Sequence, residues 1–188
     1  MKRFTLALLL VVSGRLLFAW PQAHPPQDVK GWRTTTWGMT PAQVSAAAGL
    51  NLGNPVSPDV AKEHYRGTLA MRAAADFTVI KEYDVSKVPI ADWTGEGQFV
   101  FGDSGRTGLT AVVLLLQVSF ADIRNEVKAQ YGDPTSDNSI AIEGKMAVFS
   151  NTWIFSSTEI DLTSTEASGS TLMYRRHSAL SPVSTRDR

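Results

Sequence analysis

The segment from Leu109 to Val118 narrows the folds open to this chain more than any other. Thr110 to Val118 reads TAVVLLLQV, apolar at consecutive positions instead of alternate ones. A strand with two apolar faces belongs inside a sheet that is covered on both sides. A buried helix is the rival reading of the same residues. Gln98 to Phe101 is a second strand just before it, and Gly102-Asp103-Ser104-Gly105 between them has turn composition. Leu69 to Val79 alternates, with Leu69, Met71, Ala73, Ala75, Phe77 and Val79 on one side, as a half-buried strand does. Ala141-Ile142, Met146 to Phe149, Trp153 to Leu162 and Thr171 to Arg176 also have strand composition, with a turn at Glu143-Gly144-Lys145. Trp37 and Trp153 read as core residues on strands.

Two helices are expected. Thr40 can cap and Pro41 suits the first helical position, Val44 and Ala48 share a face, and Gly49 stops the run. Asp122 to Tyr131 is the second, with Phe120, Ile123, Val127 and Tyr131 on one face and Gly132-Asp133-Pro134 ending it. Strands that are grouped, and do not alternate with helices, imply an α+β fold, with about two helices packed on an antiparallel sheet. Val44 and Gly49 recur as Val127 and Gly132 at a constant offset of 83. That spacing suggests two tandem helix-then-strands halves, 34–118 and 119–177, within a single domain over 34–177. Chance spacing in any amphipathic helix with a glycine stop is the competing explanation.

The amino terminus carries Lys2 and Arg3, then an apolar run of 9 residues, Phe4 to Val12. That is the pattern of an export signal, and it is too short for a span of about 20 residues. Residues 1–19 are read as a signal peptide, cleaved after Gly14 or Ala19. Val12-Ser13-Gly14 is followed by Arg15 where a lipoprotein signal needs cysteine, so no lipid anchor is expected and the cleaved product is periplasmic or secreted. Residues 20–33 hold three prolines and read as a linker; 178–188 read as a disordered tail.

Removing the signal takes away Lys2, Arg3 and Arg15 and leaves 15 basic and 18 acidic residues, a net charge near −3. No basic cluster remains, so nucleic acid is not an expected partner. The chain has no cysteine, which excludes disulfides, thiol catalysis and cysteine-ligated metals.

Trp37-Gly38-Met39-Thr40-Pro41-Ala42-Gln43-Val44, ending at Gly49, resembles the opening of small exported bacterial domains. These include the small lipoprotein of the outer-membrane β-barrel assembly machinery; in the β-lactamase inhibitory protein the helix-then-strands unit occurs twice. The resemblance implies helices layered on an antiparallel sheet and function by protein–protein contact.

Catalytic patterns are thin. Gly102-Asp103-Ser104-Gly105 matches the nucleophile signature of trypsin-like proteases, but Arg106 follows it and His64 lies in Lys-Glu-His-Tyr. His24, His64 and His177 have no second histidine or carboxylate at ligand spacing on one helix, so neither a metal nor a cofactor is expected. Asp76, Glu82, Asp84, Asp92, Glu96 and Asp103 scatter over strand edges and turns. Lys81 to Gly97 reads as a long connection between strands, and long connections are often functional. Its Tyr83, Ile90 and Trp93 are the candidate binding residues. The expectation is an exported binding domain that contacts a protein or envelope component. The alternative is a small secreted hydrolase or small-ligand-binding domain.

Overall fold

A computed structural model describes residues 28–68, 81–103, 106–138, 148–165 and 169–177. The signal, the strand expected over 69–79, the Ser104 turn, the 141–147 hairpin segment and the tail lie outside the described residues.

Helix α1 (Pro41–Ala48) forms where its ends are specified. Thr40 accepts from Gln43 N and Gln43 reaches back to Thr40 N, the reciprocal capping box. Gly49 closes the helix at φ 66°, its N–H donating to Ser45 O. Helix α2 (Pro58–Thr68) was not anticipated. Its start repeats the logic of α1, with Ser57 accepting from Val60 N and Pro58 at the first helical position.

Strands β1 (Lys81–Ile90), β2 (Trp93–Asp103) and β3 (Arg106–Leu116) follow as a meander. Then come α3 (Phe120–Tyr131), the two-residue β4 (Ser136–Asp137), β5 (Val148–Ile154), β6 (Thr158–Thr165) and β7 (Gly169–Arg176). All pairings are antiparallel, in the order β1-β2-β3-β7-β6-β5-β4. The broad α+β expectation therefore holds, with sheet dominating. β3 lies inside the sheet between β2 and β7, and Val112, Val113, Leu114 and Leu116 are buried although they alternate between faces. The helix reading of this segment is excluded.

One face of the sheet carries Phe99, Val112, Leu114, Leu116, Trp153, Ile160, Leu162, Leu172 and Tyr174. Val44 of α1 and Ile123 and Val127 of α3 pack onto it, each such buried side chain contributing about 1.5–3 kcal/mol. No helix among the described residues is long and apolar enough to cross a membrane.

Four expectations need correction. Residues 28–33 are not linker: Trp32 is buried edge-on to Phe99 at 5.5 Å, and the Asp28 carboxylate accepts from Ser157 N and Oγ at 3.0 and 2.6 Å. Residues 81–97 are not a long connection but a hairpin, with Ile90 paired to Trp93 across Ala91-Asp92. Pro89 and the charges on this segment disguise it; among the described strands β1 lies at the edge of the sheet, where proline is tolerated. The run from Trp153 to Leu162 is two strands, because Phe155 N bonds Thr158 O and turns the chain. Trp37 sits in a loop, not a strand, half-buried, with its indole N–H donating to Thr158 Oγ1 at 2.7 Å.

Candidate functional site

The three residues singled out in the sequence do not form one surface. Tyr83 is buried on the core face, edge-on to Phe101 with ring centroids 5.3 Å apart. Ile90 and Trp93 are half-buried and line a groove of about 220 Å³ with Trp32, Arg33, Glu126 and Tyr131. Arg33 is fixed beside it by donating to Pro89 O at 2.9 Å.

A larger cleft, about 590 Å³, opens where α2 meets the β1–β2 hairpin. Its polar lining is Glu63, His64, Asp84, Ser86, Glu96 and Gln98. Alternation places these groups. Glu82 and Asp84 are two apart on β1 and share a face, and the Asp84–Gln98 pairing puts Gln98 and Glu96 on that face too. A bulge between Val85 and Val88 adds a residue to β1 and brings Ser86 to the cleft. On α2, His64 follows buried Ala61 by one turn and so faces the sheet.

His64 Nδ1 and Glu82 Oε1 are 2.6 Å apart. Glu82 is only 2% exposed, and its side chain also hydrogen-bonds Asp84. The ligand atoms of His64, Glu82 and Asp84 lie within 4.8 Å of one another. Burial is the main force holding the Glu82 carboxyl above its ordinary 4.5; its bond to His64 opposes this and the neighbouring Asp84 adds to it. His64 is held above its ordinary 6.5, chiefly by the hydrogen bond to Glu82, with burial opposing.

Both shifts act on stability with the same sign. The stabilisation from His64 is complete below pH 6.5 and is lost as pH rises through its higher folded value. Glu82, also raised, loses stability from 4.5 upward because shedding its proton is harder in the fold. Asp84 from β1 and Glu63 from α2 are the other charged groups beside the imidazole, and both favour its protonated form. Urea unfolding is therefore expected to show stability falling as pH rises above 4.5 and on through 6.5, with a shallower slope in His64→Gln. A slope identical in that variant would show that the pair is not its source.

Sequence reading missed this constellation because it sought ligands along one helix. The signal was present as Glu82-Tyr83-Asp84, whose spacing of two becomes meaningful once the segment is a strand. The chain matches no protein family, no curated protein and no solved structure.

Proposed function

We propose that the protein is an exported binding domain whose ligand seat is the acidic cleft between α2 and the β1–β2 hairpin, and that it takes a small, positively charged ligand. The observation that carries this reading is the convergence of His64, Asp84 and Glu96 on one cavity, with buried Glu82 behind them. A volume near 590 Å³ lies within the range of about 300–1,000 Å³ that small-molecule sites occupy. Among the described residues, those lining it include carboxylates and no lysine or arginine. Contact with a protein or envelope component through Tyr83, Ile90 and Trp93 has less support, since Tyr83 is inside the core. The exposed large apolar residues among those described, Val60, Val148 and Ile154, are spread over α2 and β5.

Export rests on the Met1–Ala19 pattern, and release without a lipid anchor on Arg15. The tandem-halves reading gains support from the strand order, in which β1-β2-β3 and β5-β6-β7 each run inward so that β3 and β7 meet at the centre, with the two-residue β4 outside β5. Val44 and Val127 are both buried, and Gly49 and Gly132 both have positive φ and donate to the carbonyl four residues back.

Calorimetric titration with spermidine, a small flexible organic polycation, tests the reading. The wild-type protein is expected to bind it, and Asp84→Asn with Glu96→Gln to weaken binding at least about tenfold, or 1.4 kcal/mol. Absence of binding, or equal affinity in the double variant, would overturn it.

A further inference from the structure

We propose that His64, Glu82 and Asp84 form a binding site for a divalent first-row transition-metal cation, with Zn²⁺ as the representative ion. The inference deepens the cationic-ligand reading above and rests on it.

Three features carry it. The first is the donor set, one imidazole nitrogen and two carboxylates, drawn from α2 and β1 with all ligand atoms within 4.8 Å. The second is the setting of Glu82. A carboxylate 2% exposed normally has a cationic partner; among the described residues the side-chain partners of Glu82 are His64, a cation only when protonated, and Asp84, a second carboxylate, and neither is a permanent positive charge. The third is the cleft. Three protein ligands leave coordination positions open, and His64 and Asp84 line a cavity that can supply water or a small ligand to them.

The geometry requires modest adjustment. Zinc–nitrogen and zinc–oxygen bonds of about 2.0–2.2 Å in a tetrahedral site separate ligand atoms by roughly 3.4 Å. His64 Nδ1 and Glu82 Oε1, now 2.6 Å apart, must open by somewhat less than 1 Å as the ion replaces the proton between them. Asp84 is exposed at the cleft, beside Glu82, and can complete the set from the other side. The imidazole favours zinc, iron, nickel or copper over magnesium and calcium, which prefer all-oxygen shells with more ligands.

The test is calorimetric titration of the tag-free protein with Zn²⁺, followed by X-ray absorption of the loaded form. The expected result is one ion per chain, coordinated by one imidazole nitrogen and carboxylate oxygens. His64→Gln and Asp84→Asn are each expected to weaken binding on the order of 10–100-fold. Circular dichroism checks that His64→Gln folds; if it does not, Asp84→Asn decides, since Asp84 is exposed. No zinc binding, or full affinity in Asp84→Asn, overturns the site, the latter by placing the ion elsewhere, such as at His24 or His177. Spermidine binding that persists while zinc fails would sink the metal site and leave the cleft reading intact. Failure of both would sink both.

Discussion

Trp153→Ala is expected to destabilise the fold by about 3–5 kcal/mol, the upper range for a buried aromatic truncated in a core. Trp153 is 1% exposed and sits on β5 opposite Ile160 of β6. Its ring belongs to the cluster that joins the sheet to Ile123 and Val127 of α3. Its indole N–H donates to Gly132 O at 2.9 Å, just past the end of α3. Truncation therefore opens a cavity and also leaves a carbonyl at the helix terminus without its donor. Trp153→Phe separates the two effects: it keeps much of the volume and loses the hydrogen bond, at about 0.5–1.5 kcal/mol for that bond. Urea denaturation measures both. A loss below about 1 kcal/mol for the alanine variant would mean that α3 does not depend on this contact.

The second large effect concerns the sheet face opposite the main core. Arg175 of β7 lies beside Glu159 and Asp161 of β6, bonded to Glu159 and 3.1 Å from Asp161. The three side chains are 15–17% exposed. Asp161 also accepts from Thr152 on β5 at 2.9 Å, and His177 stands 3.8 Å from Glu159. Arg175→Met keeps the apolar length of the side chain and removes the charge, leaving two mostly buried carboxylates side by side. Removing one partner of a buried ion pair costs about 3–5 kcal/mol, and partial exposure here brings the expectation to about 2–4. Adding Glu159→Gln and Asp161→Asn to the methionine variant is expected to recover most of that loss, because the uncompensated charges go with them. A methionine variant as stable as the wild type would show that solvent already screens the cluster.

The parts of the fold that could be read from the chain are those specified locally. Thr40-Pro41 with Gly49, and the Phe120-Ile123-Val127 stripe with Gly132, mark helices because caps and periodicity act over a few residues. The bifacial apolar run of β3 declares its place because no exposed strand tolerates it. β1 was hidden for the opposite reason. It lies at the edge among the described strands, carries Pro89, a bulge and four charged side chains, and is held by pairing with β2 and not by local pattern. Ser57-Pro58-Asp59 opens α2 as clearly as Thr40-Pro41 opens α1.

The site follows from the same point. On a loop, Tyr83 would be an aromatic available for binding. On a strand, alternation sends it into the core and turns its two neighbours, Glu82 and Asp84, toward the other face. His64 joins them only through the tertiary contact of α2 with β1, at a separation of 18 residues from Glu82. Ile90 and Trp93 do converge, on the smaller groove at the hairpin end.

An amide chemical-shift map of the isotope-labelled, tag-free protein, titrated in turn with spermidine and with Zn²⁺, tests the cleft most directly. The cleft reading predicts that both sets of perturbations centre on His64, Glu82, Asp84 and Glu96. Perturbations centred on Ile90, Trp93 and Tyr131, or none at saturating cation, would contradict it.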